Sequence, residues 1–353
     1  MELYNSGIQQ IGIGVPDADA AWKWYKEYFN VDIVMIDEYA KAEYMLPYTG
    51  GEVCDRHTIL AVNLQGGGGF EIWEHRSHMP TFPEFAVRPG DLGISACKIK
   101  CRNAAQAYHF YKQKKARLSP MYTAVNGGSY FYLHDLYGNV FQVLECDDFF
   151  HLSTHPAGGA YGAVIGVSDM EKSIQFYRNL LGYDHVLSDQ TGEFDDLAYL
   201  GGEGIVYRRV VLTHSKPRVG AFSRLFGTSQ IELLLAKDCE VRKIYENRWW
   251  GDPGFIHLCF DIRGMREMRE RCEREGHPFT VDTESLLEDH FDMGEAAGNF
   301  AYNEDPDGTL IEYVETHRIP LLQKWGISLN LRKRKPDKHL PDWMLKCLRF
   351  MRK

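Results

Sequence analysis

The chain has 353 residues, 44% of them hydrophobic, 13% aromatic and 25% charged, with a formal net charge of −9. That length exceeds what one hydrophobic core usually serves, the composition is that of a folded globular protein, and the acidic balance excludes nucleic acid as the main partner, because phosphate binding needs a basic surface. Eight cysteines without a C-x-x-C pair give neither a zinc ribbon nor a secreted disulfide framework. The opening "MELYNSGIQQ" carries no basic-then-apolar leader, and no stretch approaches the roughly 18 consecutive apolar residues of a membrane span, so a cytoplasmic enzyme or binding protein is expected.

In chain order, the first strand is expected over Ile8 to Val15, where Ile11, Ile13 and Val15 alternate with Gln10, Gly12 and Gly14. One face is apolar; the other is small or polar and suited to lining a cavity. Pro16 and Asp17 end the strand, and Asp17 can cap a helix in which Trp22, Tyr25 and Phe29 share one stripe. Three strands follow, read from "VDIVMI", "HTILAV" and "FEIWEH", which makes the unit βαβββ.

The same unit returns at an offset of 152 residues, with Val167 for Val15, Asp169 for Asp17, Tyr177 for Tyr25 and Leu181 for Phe29. Two further copies begin at "GISACKIKC" from Gly93 and "GFIHLCFDIR" from Gly254. They close on "YFYLHDLYGNVFQVLE" and "FAYNEDPDGTLIEYVE", where Asp135 and Gly138 stand opposite Asp305 and Gly308 in a tight turn. The copies occupy residues 6–78, 91–148, 158–237 and 252–318. The expected fold is α+β: four βαβββ modules in two curved, mostly antiparallel sheets, with helices outside and cavities within. The expected domains are 1–150 and 151–320, two modules each, followed by a basic tail at 321–353.

Four such units, each closing on an apolar strand that holds a carboxylate or amide, resemble the vicinal oxygen chelate superfamily, which includes lactoylglutathione lyases, epimerases, extradiol dioxygenases and metal-free bleomycin-binding proteins. The resemblance covers everything before the tail. It implies one metal ligand from the first strand and one from the last strand of each module, with two modules closing around one ion. Those positions here are Gln10 and Glu71, Ala96 and Gln142, Gly162 and Glu232, and His257 and Glu312. Ala96 and Gly162 cannot ligate, so at most one strong site is expected.

If the first module pairs with the fourth, the set is Gln10, Glu71, His257 and Glu312, the quartet that the resemblance associates with four-module lyases. If the third pairs with the fourth, the set is Glu232, His257 and Glu312, a departure from the two-His-one-carboxylate arrangement suited to non-haem Fe(II). The first pairing is favoured because it completes a four-ligand set.

Each residue also has a plain structural reading: a solvated glutamine for Gln10, a hydrogen-bonded core residue for His257, arginine-paired carboxylates for the glutamates. Carboxylates inside apolar runs are costly without a cation or donors, which is why Glu71, Glu232 and Glu312 stand out.

The function implied is a divalent-metal-dependent isomerase or lyase of the glyoxalase type, using Zn, Ni, Co, Mn or Fe on a small substrate with vicinal oxygens, with Glu312 or Glu71 as general base. The alternatives are an Fe(II) ring-cleaving dioxygenase and a metal-free small-ligand-binding protein.

From Leu331 the composition changes. "LRKRKPDKHLPDWMLKCLRFMRK" holds nine Lys or Arg against two acids, a local charge of +7, so the preceding body carries −16. A short helix begun at Pro341 and Asp342 would gather Trp343, Met344, Cys347, Leu348 and Met351 on one face. Docking of that face on the acidic body or on a partner subunit is expected, with an anionic membrane surface or capture of an acidic partner as the alternative.

Overall fold

The computed structural model describes residues 2–286, 291–293, 296–322 and 327–353. The first module consists of β1 (Tyr4–Gly14), a helix at Ala18–Phe29, β2 (Ile33–Ala42), β3 (Cys54–Val62) and β4 (Gly69–His75). The second has β5 (Gly93–Cys101), a helix at Ala104–Gln113, β6 (Tyr122–Thr123), β7 (Ser129–His134) and β8 (Val140–Glu145). The third has β9 (Ala157–Gly166), a helix at Met170–Leu181, β10 (His185–Gly192), β11 (Tyr207–Thr213) and β12 (Gln230–Ala236). The fourth has β13 (Gly254–Arg263), a helix at Met265–Arg274, β14 (Val281–Asp282), β15 (Phe291–Met293), β16 (Ala296–Glu304) and β17 (Leu310–Leu322), with β18 (Ile327–Asn330) added at its edge.

The helices start where their caps allow. Asp17, Asn103 and Asp169 each accept a hydrogen bond from a backbone N–H three residues on, which satisfies one of the free donors of the first turn. The last strand adds a second cap in the first two modules, where Glu74 and Glu145 accept from the N–H of Ala18 and Ala104, and in the fourth, whose N-cap is Gly264, Glu315 caps by accepting from the N–H of Met265. In those three modules a carboxylate three residues beyond the last-strand ligand position thus fastens strand to helix.

The strands form two curved sheets of α+β architecture. One runs β14-β16-β17-β13-β1-β4-β3-β2, the other β10-β11-β12-β9-β5-β8-β7-β6. Within each module the first and last strands are parallel and the remaining neighbours antiparallel. The module seams are antiparallel: β1 against β13 and β5 against β9. The first module therefore pairs with the fourth and the second with the third, so residues 1–150 place one module in each sheet, as do residues 151–320.

The four module helices and the helix-facing residues of both sheets share one core, including Tyr25, Phe29, Tyr111, Phe141, Tyr177 and Leu258. Its two sides are pinned alike. Tyr25 donates to Asp135 at 2.6 Å and Tyr177 to Asp305 at 2.9 Å, each tyrosine on a helix and each aspartate in the repeated turn. No described helix is long and apolar enough to cross a membrane.

The tail packs on the body through a face only partly the one expected, with Met344, Leu348 and Met351 half-buried as that face requires. Leu340 and Leu345 are buried, whereas Trp343 is 65% exposed and Cys347 is also exposed. The reason is helix geometry: the α-helix spans only Asp342–Lys346 before tightening into a 3₁₀ turn over Cys347–Met351, which shifts the inward side by a residue.

Candidate metal centre

The β1–β13 seam brings the candidate ligands together. His257 lies opposite Gly12, Glu71 lies beside Gly12 on the parallel strand β4, and Gln10 is two residues earlier on the same face of β1. Gly12 has to be glycine: a Cβ there would come within 2.4 Å of His257 Cε1 and 2.6 Å of Ile256 Cγ1. Glu312 arrives on β17, parallel to β13.

His257 Nε2 is 3.1 Å from Glu71 Oε2 and 3.1 Å from Glu312 Oε2. Gln10 Nε2 donates to the same two oxygens at 3.0 and 3.3 Å. The ligand atoms of Glu71, His257 and Glu312 all lie within 4.8 Å of one another. His257 and Glu312 are buried, and Glu71 is half-buried at the edge of a cavity.

Neighbouring rings fix the imidazole. Trp250 lies nearly parallel to it with centroids 6.0 Å apart, and Tyr302 meets it edge-on at 5.5 Å. Tyr302 is the cross-strand partner of Glu312, as Tyr132 is of Gln142. The repeat aligns those tyrosines, so "FAY" beside "YFY" was a usable signal for a site residue that the motif reading passed over.

Burial disfavours charge on His257, but the Glu312 and Glu71 carboxylates outweigh it and raise its pKa from the ordinary value to about 9. Glu312 is opposed by burial too, yet His257 holds it below the usual carboxylate range. Without a cation the cluster is two carboxylates around one imidazolium, net −1 in a largely buried place.

Its hydrogen bonding is incomplete. Although Nε2 is close to both carboxylates it makes no aligned hydrogen bond, and Gln10 Oε1 and His257 Nδ1 also lack partners among the described residues. Turning the Gln10 amide would present Oε1 to the same point as the two carboxylates, an arrangement that only a cation makes favourable. The donor set of one imidazole, two carboxylates and one amide oxygen fits a divalent ion of the Zn, Mn or Fe(II) type.

Glu232 does not join this cluster. It lies in the other sheet, where Lys98 reaches it at 2.5 Å and Arg209 at 2.7 Å. Its pKa is pulled down to about 2: burial opposes this, and the charges of Arg209 and Lys98 override it. The alternative set of Glu232 with His257 and Glu312 is thereby removed, since the third module pairs with the second. Lys98 lies opposite Gly162 at the β5–β9 seam, as Cys259 lies opposite Gln10 at the other. An ammonium from the chain takes the place of an external cation. A lysine inside "SACKIKC" gave no hint of this until its partner strand was known.

The metal candidates open into a cavity of ≈ 640 Å³ bounded by β2 to β4, β16, β17 and the C-terminal tail, with Gln10, Glu71 and Glu312 at one end.

Residues 161–313 match the family model described as the Glyoxalase/Bleomycin resistance protein/Dioxygenase superfamily. That segment belongs to this superfamily. Among solved structures, glyoxalase I from Zea mays is similar, at 12% identity and a TM-score of 0.51 over 89% of this chain and 92% of that one. A putative dioxygenase from Bacillus subtilis subsp. subtilis str. 168 is similar at 12% identity and a TM-score of 0.55, covering 88% and 86%. At such identities the likeness is one of fold. No curated protein sequence matches the chain significantly. Outside the matched segment, residues 6–78 and 91–148 carry the same βαβββ module.

Proposed function

We propose that the chain is a divalent-metal-dependent isomerase or lyase of the glyoxalase type, acting on a small substrate with two neighbouring oxygens. The observation that carries this reading is the convergence of Glu71, His257 and Glu312 within 4.8 Å, with Gln10 bonded to both carboxylates. Bound there, a divalent ion would supply Lewis acidity toward a substrate carbonyl or hydroxyl oxygen.

The chain's own groups do the rest. Glu71 faces the cavity and among the described residues is held by Gln10 and His257 alone, so it is the carboxylate free to take a proton from a carbon beside the polarised carbonyl and return it to the neighbouring one. Glu312, crowded by His257 and Tyr302, serves as a fixed ligand. His257 would have to bind in its neutral form, and Trp250 and Tyr302 hold its ring in place.

Elemental analysis of protein purified without an affinity metal column tests the reading. About one equivalent of divalent metal, lost in His257→Ala, is the expected result; metal-free protein that gains no metal from added Zn, Ni, Co, Mn or Fe sinks it. A second reading, an Fe(II) dioxygenase, shares its fold with the Bacillus subtilis protein, but one imidazole with two carboxylates departs from the two-His-one-carboxylate set suited to Fe(II). Oxygen consumption with catechols by iron-loaded protein would select it.

A further inference from the structure

The metal candidates are one end of a much larger space, and the chain builds the other end from its own C-terminal segment. On the sheet side Leu60, Val62, Trp73 and Val314 line the cavity; opposite them stand Leu340, Met344, Leu348 and Met351. The segment is fastened on both sides of this wall. The Leu340 N–H bonds to Ala221 O at 2.8 Å, the Lys353 N–H bonds to Asp32 O at 3.0 Å, and Arg352 pairs with Asp32 at 3.1 Å. The basic charges that distinguish the tail in sequence point elsewhere: Lys346 and Arg349 are exposed.

Of the cations that line the cavity among the described residues, Arg56 is engaged and Lys41 is exposed. Arg56 pairs with Glu38 at 2.5 Å and lies over the Trp73 ring, and Lys41 faces Asp55 at 4.0 Å. A ligand with anionic groups away from its chelating end would find no free buried counter-charge among the described residues here. A ligand with an apolar body would exchange water for aliphatic and aromatic carbon along most of its length.

We infer that the substrate is amphiphilic, with its vicinal oxygens at one end and an apolar chain or ring body at the other, and that Met344, Leu348 and Met351 of the tail set how long that body can be. The polar end of this inference rests on the metal reading; the apolar end does not.

The test uses the full chain loaded with Zn²⁺ and a series of n-alkyl hydroxamic acids, from acetohydroxamate to decanohydroxamate, followed by calorimetry. Affinity is expected to rise about threefold to fourfold per methylene until the cavity is full. Leu348→Trp and Met344→Trp should weaken decanohydroxamate at least tenfold while leaving zinc content and acetohydroxamate affinity within twofold. Met344→Ala and Leu348→Ala, which enlarge the space, should move the plateau to longer chains, so the idea stays testable if a tryptophan variant does not fold. A flat series, or a plateau that ignores all four substitutions, overturns it. The same measurement with n-alkanols, which cannot chelate, separates the two readings. If zinc does not bind but the alkanol series still climbs, the metal reading has failed and this one stands; if acetohydroxamate binds with zinc but both series are flat, this one alone has failed.

Discussion

Two glutamates at equivalent repeat positions have opposite environments, and single substitutions should show it. Glu71→Ala removes a carboxylate from the cluster of His257 and Glu312, so metal content is expected to fall as far as in His257→Ala, with little loss of stability because Glu71 is half-buried. Glu232→Ala should keep the metal and lose about 3–5 kcal/mol in denaturant unfolding, because Lys98 is left a buried cation without its carboxylate and Arg209 keeps only Asp196. Equal metal retention in both variants would contradict this assignment.

The same residue gives a pH dependence of defined sign. Its folded pKa of about 2 lies below the unfolded value, so its contribution is complete above the ordinary glutamate pKa and is lost as pH falls toward about 2. The stability gap between wild type and Glu232→Gln should therefore be constant near neutrality and shrink below about pH 4.5. A gap that widens on acidification would count against a carboxylate held by cations.

At the level of elements, the repeat is secured by helix-to-turn contacts that differ in how much else supports them. Asp135 Oδ2 accepts from Tyr25 and from the Asn139 side chain, whereas Tyr177 is the one hydrogen-bond donor seen at Asp305 Oδ2 among the described residues. Burial raises the Asp305 pKa to about 6, so its carboxyl already lacks solvent to fall back on. Tyr177→Phe is expected to cost about 1.5–3 kcal/mol and Tyr25→Phe about 1 kcal/mol. Chemical denaturation of the two variants checks the order, and the reverse order would mean that the Asn139 contact contributes nothing. These tyrosines and aspartates were legible as repeat positions, but nothing in the sequence said which tyrosine meets which turn, because the contacts join consecutive modules that lie in different sheets.

For the whole molecule, the pairing of first with fourth module has a consequence that no local feature shares. Gln10 and Glu71 lie in one half of the chain, His257 and Glu312 in the other, so a complete cluster needs both. Fragments 1–153 and 154–353, produced separately, should each expose a long unpaired strand edge, β1 in one and β13 in the other, and bind no metal. Co-expressed, they should associate and recover about one equivalent. Metal retention by either fragment alone would show that the cluster is not shared across the seam.

The sequence by itself determined the module, its four copies, the caps at Asp17 and Asp169 and the residues eligible to bind a metal. These rest on side-chain periodicity and on short-range hydrogen bonds, which a linear pattern records directly. Only the tertiary structure decided that Glu71 rather than Glu232 meets His257, that Lys98 neutralises the second sheet from within, and that the tail folds back to close the cavity with Leu340, Met344, Leu348 and Met351. Each of those depends on which strand edges pair and on where a helix tightens by one residue. Such choices are set by the summed packing of distant segments, and the spacing of residues along the chain does not encode them.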